Sequence, residues 1–182
     1  MDEKLRLFVA LELPATARRA LAAFRDRTDP AVWRPVRDEA LHLTLAFLGS
    51  RPASDVDVVA GVLQASRGGP VPLVLGGPLL LPPRRARVLC AEVADGGGAL
   101  SALQARVSAG LVEAGVYEAE KRPFRAHATV ARVRAGARAP REWSGPGPEP
   151  VAFDGGPLTL FRSRLSRAGA AYEPLVQVDP GS

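Results

Sequence analysis

The sequence predicts an α+β fold: two pseudo-symmetric lobes on mainly antiparallel sheets, helices outside, around a central cleft. Three observations predict it. A strand–helix–strand order at 4–13, 14–28 and 41–47 recurs at 86–94, 97–115 and 126–133, offset by 82–85 residues. The last strand of each copy holds one of the chain's two histidines, in "LHLTLAFLG" (41–49) and "RAHATVARV" (125–133). Two closing strands, with no strict alternation of strand and helix, favour antiparallel pairing. Two copies are too few for a solenoid, which needs about three or more repeats. One domain over 1–182 is therefore expected, with the segment 42–45 in one lobe and 127–130 in the other.

Each element has a local reason. "KLRLFVALEL" (4–13) alternates as a strand does. "PATARRALAAFRDRT" (14–28) reads as a helix, with Pro14 near its start and Ala17, Ala20, Leu21 and Phe24 at helical spacing. "LHLTLAFLG" is a strand closed by Gly49. "ASDVDVVAGVLQASRGG" (53–69) reads as a helix with Ser54 as N-cap and a glycine pair as its stop. "VPLVLGGPLLL" (71–81) reads as a broken strand and "ARVLCAEVA" (86–94) as a firmer one. Leu100, Leu103, Val107 and Leu111 recur every three or four residues, making 97–115 the clearest helix, closed by Gly115. After the second histidine strand, 135–150 is rich in Gly, Pro and Arg and reads as a loop. Strands are expected at 157–166 and 170–178, with fraying beyond.

Composition narrows the class. Hydrophobic content of 47% with 24% charged residues suits a chain with a buried core. No apolar run approaches the ~20 residues that span a bilayer, and the acidic start "MDEK" is unlike a signal peptide, so a cytoplasmic protein is expected, with a monomer as the default for a unit of this size. Cys90 is the only cysteine and sits in a strand pattern, so it reads as buried. With two histidines, a protein-only zinc site lacks its usual ligands. Net charge is +5 and sequence pI about 10.3; of the 24 basic residues only Lys4 and Lys121 are lysine. Arginine forks suit phosphate, which points to a phosphorylated substrate.

The two histidines share more than their strands. Each has threonine two residues on: His42 with Thr44, His127 with Thr129. With five threonines in 182 residues, chance gives such a double match roughly once in 1,300 trials. In a strand, residues i and i+2 share a face, about 6.6 Å apart. Each imidazole therefore shares a cleft face with a hydroxyl, while the alternate apolar residues face the core. Two facing imidazoles with no metal ligands suit general acid–base chemistry near neutral pH. In phosphodiester cleavage, one would deprotonate water and the other protonate the leaving alkoxide. Threonine hydroxyls and an arginine would bond the non-bridging oxygens as charge builds there.

The tetrads "HLTL" and "HATV" resemble the signature of the 2H phosphoesterase superfamily. With "RLFVALELP", "PRRARVLCAEV", "FRAHATVARV" and "LFRSRLSRAGAAYEPL", the chain is similar along its whole length to the RNA 2',3'-cyclic phosphodiesterases, historically called 2'-5' RNA ligases. One departure is Ala126, where that family often has proline. The resemblance implies a bilobal pseudo-twofold fold and metal-independent, cofactor-free hydrolysis of a terminal RNA 2',3'-cyclic phosphate to a 2'-phosphate. His42 would be the proton donor, His127 the acceptor, and Thr44 and Thr129 the phosphate-holding hydroxyls. Arg132 matches an arginine that follows the second tetrad and would bind the phosphate. Strict alternation puts it on the face opposite His127, so a twist, bulge or long reach is required. Phe8 offers a ring for base stacking, with core packing as the competing role. Arg87 and Tyr172 fall in family-like segments and are cleft candidates.

The sequence leaves alternatives open. A 5'-hydroxyl RNA in place of water would make a 2'-5' linkage at the same site, joining RNA halves such as tRNA fragments; no P-loop is present for ATP-driven ligation. Small cyclic nucleotides, or ADP-ribose 1'',2''-cyclic phosphate, are other substrates. An RNA-end-binding module without turnover is the non-enzymatic reading.

Overall fold

A computed structural model describes residues 3–166 and 169–181; residues 1–2, 167–168 and 182 lie outside the description, two of them within the family-like "LFRSRLSRAGAAYEPL". In chain order the elements are β1 (Lys4–Glu12), α1 (Ala15–Arg25), β2 (Trp33–Pro35), a 3-10 turn (Asp38–Ala40), β3 (His42–Pro52) and α2 (Asp55–Ala65). There follow β4 (Pro72–Leu81), β5 (Val88–Ala94), α3 (Ala99–Glu113), β6 (His127–Val133), β7 (Ala152–Asp154), β8 (Leu158–Ser166) and β9 (Gly169–Val178).

The strands run β7-β4-β5-β6-β3-β1-β8-β9, with β2 on β6, and every described pairing is antiparallel. The two expected sheets are thus two four-stranded halves of one sheet. Among the described residues their only register pair at the joint between β3 and β6 is Leu43 with Ala128. Outward from that joint the halves match strand for strand: β3-β1-β8-β9 against β6-β5-β4-β7. The joining residues are themselves 85 positions apart, the spacing of the two histidines. Pseudo-twofold symmetry is therefore built around this pair.

Both helices of the repeat reach across the joint: α1 packs on β6 and β7 of the other half, while α3 packs on β3 of the other half and on β4 of its own. Their buried stripes are those the spacing predicts, Ala17, Leu21 and Phe24 on α1 and Leu100, Leu103, Val107 and Leu111 on α3. These stripes join the core face of both halves in one apolar cluster that includes Leu11, Leu43, Leu89, Ala91 and Ala128. Burial of that shared face by helices from the opposite half locks the lobes together. Where α2 crosses α3, a Cβ on Gly110 would stand 2.8 Å from Val62 Cγ1, so glycine permits the close approach.

Three differences from the sequence expectation have physical causes. Strands β2 and β7 span three residues each, too short to show a period. The segment 71–81 is one strand, with its register shifted between Leu75 and Pro78. There Gly76 lets the chains draw close, since a Cβ would meet that of Glu92 at 3.2 Å. The segment after β9 is tied down at Pro180, whose carbonyl accepts from the Gly68 and Gly69 amides at 2.8 and 3.1 Å. Among the described residues no helix is long and apolar enough to cross a membrane.

Candidate active site

The site begins with the local geometry of β3 and β6. Leu43 and Leu45 on β3, and Ala128 and Val130 on β6, are buried in the core. Their neighbours His42, Thr44, His127 and Thr129 point the other way, as period-2 alternation requires. Both strands then carry an extra residue directly after the threonine. Across from β1, Val9 pairs with Ala46 but Ala10 with Thr44; across from β5, Leu89 pairs with Ala131 but Cys90 with Thr129. Leu45 and Val130 are thus bulged residues, 85 positions apart. A bulge inverts the alternation after it. Two buried residues in succession follow each threonine, and then Phe47 and Arg132 emerge on the histidine side. This supplies the bulge that Arg132 requires.

Both imidazoles are held by the same device. The Nδ1–H of His42 donates to the Ala40 carbonyl at 2.8 Å, and that of His127 to the Arg125 carbonyl at 2.7 Å. A carbonyl only accepts, so Nδ1 carries the proton and Nε2 is left for chemistry. In the neutral His42 ring, Nε2 accepts from the Thr44 hydroxyl at 3.0 Å. Phe8 lies 5.0 Å from the His42 ring centroid and Tyr172 5.4 Å, edge-on. Burial among these rings pushes the His42 pKa down to about 4; the charges of Arg132 and His127 act in the same direction, and Glu12 and the Ala40 bond oppose. His42 is therefore neutral at pH 7.

The histidines, both threonines and Arg132 line one cleft of about 510 Å³. Its other charged lining residues are Arg6 and Arg34, with no carboxylate among them. Arg34 reaches the cleft from β2 as the register partner of Arg132, and Arg6 lies 4.6 Å over the Phe47 ring. Such a cleft attracts anions. Among the described residues no group of three or more His, Cys, Asp or Glu side chains is placed to hold a metal. Cys90 is buried, with Sγ 3.5 Å from Thr129 Oγ1, and burial raises its thiol pKa to about 11. It is therefore a protonated packing group.

The sequence candidates are distributed unevenly. His42, Thr44, His127, Thr129, Arg132, Phe8 and Tyr172 all line the cleft. Phe8, however, is 4% exposed, stacked on Phe161 and edged by Tyr172. Little ring face is left for a base, so the geometry favours its packing role, as the bed beneath His42. Arg87 lines a neighbouring cavity instead. Arg6, Arg34, Phe47 and Ser163 also reach the cleft and were not expected. Phe47 was within reach of sequence reasoning, since the 85-residue offset aligns it with Arg132.

The chain is similar to known proteins along most of its length. The sequence model of the 2'-5' RNA ligase superfamily matches residues 10–167. The chain is 32% identical to a Thermus thermophilus protein named RNA 2',3'-cyclic phosphodiesterase, across 94% of this chain and 88% of that protein. It is similar to the crystal structure of Escherichia coli LigT in its apo form, with a TM-score of 0.81, 26% identity and coverage of 97% and 98% of the two chains. The same enzyme complexed with 3'-AMP gives a TM-score of 0.83 at 26% identity and the same coverage. The chain thus belongs to the 2'-5' RNA ligase superfamily, a family of 2H phosphoesterases.

Proposed function

We propose that this protein is an RNA 2',3'-cyclic phosphodiesterase, which hydrolyses a terminal 2',3'-cyclic phosphate to a 2'-phosphate by two-histidine acid–base catalysis without a metal. One observation carries the reading. Two imidazoles from opposite halves, each with Nδ1 tied to a backbone carbonyl, share one carboxylate-free cleft with two threonines and three arginines. The name of the Thermus relative and the 3'-AMP bound by LigT support a nucleotide with a ribose phosphate as the ligand.

In the proposed reaction water attacks phosphorus in line with O3'. His127 Nε2 takes the proton from that water, the P–O3' bond breaks, and His42 Nε2 delivers a proton to O3'. Thr44, Thr129 and Arg132 bond the non-bridging oxygens, which carry more charge in the pentavalent state than in the substrate. Because burial and the neighbouring charges hold His42 neutral, its donor role requires the substrate anion to restore its proton. A phosphate within a few ångströms offsets the repulsion from Arg132 and His127 and shifts His42 upward. Each proton transfer is worth about 10²–10⁴ in rate.

Product analysis tests the reading. A short RNA with a 2',3'-cyclic end, incubated in EDTA, is expected to yield the 2'-phosphate alone. Formation of the 3'-phosphate, or no turnover without added metal, would overturn it.

A further inference from the structure

Beside the cleft lies a second cavity, of about 690 Å³, whose lining contains no acidic residue. Arg84, Arg85 and Arg87 line it from the β4–β5 connection, and Arg134, Arg138 and Arg141 from the segment after β6. All six are exposed. Arg34 and Arg132 line both this cavity and the cleft, so the two are continuous through those guanidinium groups. Six arginines elsewhere, Arg25, Arg37, Arg51, Arg125, Arg162 and Arg164, pair with carboxylates. Among the described residues none of the cavity's arginines is in an ion pair. Eight like charges lining one trough repel one another until an anion neutralises them.

We infer that this trough is the track for the sugar–phosphate backbone of a single RNA strand, leading away from the cyclic end held in the cleft. The inference rests on the proposed reaction for the identity of the strand, and it adds where the nucleotides beyond the terminal one are held. Arginine forks match phosphate oxygens in pairs. Apart from arginine, the lining is proline, valine and alanine, with no aromatic ring to stack a base and no carboxylate or amide to read its edge. Contacts there go to phosphates, so the strand is gripped without regard to sequence. The trough therefore sets affinity for chain length, while the cleft performs the chemistry.

The triple variant Arg84→Gln, Arg85→Gln, Arg141→Gln tests this, since all three residues lie outside the cleft. Two substrates are compared: 2',3'-cyclic AMP and a ten-nucleotide RNA with a cyclic end. The variant is expected to keep kcat/KM for the mononucleotide within twofold and to lose about tenfold or more on the decamer. The salt dependence of decamer binding is expected to flatten by about two in log–log slope, close to 0.7 for each phosphate no longer neutralised. Equal losses on both substrates, or no loss on the decamer, would overturn the inference. If the wild-type protein turns over neither substrate, the proposed reaction fails, and binding still decides the trough. A labelled decamer ending in 2'-phosphate is expected to bind the variant about tenfold more weakly, and unchanged affinity would refute the track. Displacement of that decamer by polyglutamate of equal charge, at equal concentration, would also refute it and mark a site for acidic peptides.

Discussion

Leu43 and Ala128 face each other across the joint between β3 and β6, both fully buried, and they are 85 residues apart in the chain. Directly opposed residues in an antiparallel pair point to the same side. With this pair in the core, His42 and Thr44 on one side of it and His127 and Thr129 on the other must all emerge on the opposite face. One register pair thereby brings together two imidazoles from separate halves of the chain.

The joint should accordingly be sensitive to volume. Ala128→Leu forces a larger side chain against Leu43, at a cost of about 1–3 kcal/mol in stability. The variant is expected to keep its far-UV circular dichroism while kcat falls by about tenfold or more, because the halves separate at the site. An unchanged kcat would show that the joint does not set the distance between the histidines.

His42 makes stability depend on pH in the direction opposite to a paired histidine. Its folded pKa of about 4 lies below the ordinary value of 6.5, so between those values the unfolded chain binds more protons. Stability conferred by the neutral ring is full above pH 6.5 and is lost as pH falls toward 4, by about 2 kcal/mol at pH 4.5. Denaturant unfolding at pH 7 and pH 4.5 is expected to show this loss in the wild-type protein and not in His42→Gln. In NMR titrations the ring is expected to move upward from about 4 when 2'-AMP fills the cleft. No movement would remove it from the proton-donor role.

Arg132 reaches the cleft because of the bulge at Val130. If it bonds the phosphoryl oxygens as charge accumulates, Arg132→Ala is expected to lower kcat by about 10²–10³. Arg132→Lys should restore only part of this, since an ammonium lacks the fork. An effect confined to KM would make Arg132 a binding group with no preference for the transition state.

Cys90 offers a check on burial. A buried thiol with a pKa near 11 holds little thiolate at pH 8. It is expected to resist iodoacetamide in the folded protein and to react once the chain is denatured. Rapid labelling of the native protein would contradict the close packing behind Thr129.

Much of this arrangement is legible in the sequence. The His-x-Thr strands and the leucine-spaced helix over 97–115 show their elements because long periodic segments average out local ambiguity. The repeat offset places both tetrads in equivalent halves. What stays hidden depends on single residues out of period. The bulges at Leu45 and Val130 move Phe47 and Arg132 to the cleft side, and nothing in the alternation of apolar residues marks them. Arg34 escapes sequence reasoning because β2 has three residues and is a strand only through its pairing with β6. Resemblance alone groups Arg87 with the cleft; the β4–β5 connection carries it to the neighbouring trough.

The central claim is that His42 and His127 act as a unit on one phosphate. It is tested most directly by kcat for 2',3'-cyclic-ended RNA in His42→Ala, His127→Ala and the double variant, all shown to be folded. Each single variant is expected to lose about 10²–10⁴ in rate, and the double variant little more than the worse single one, since groups that work together are not additive. Retention of activity within a few-fold by either single variant would contradict the account.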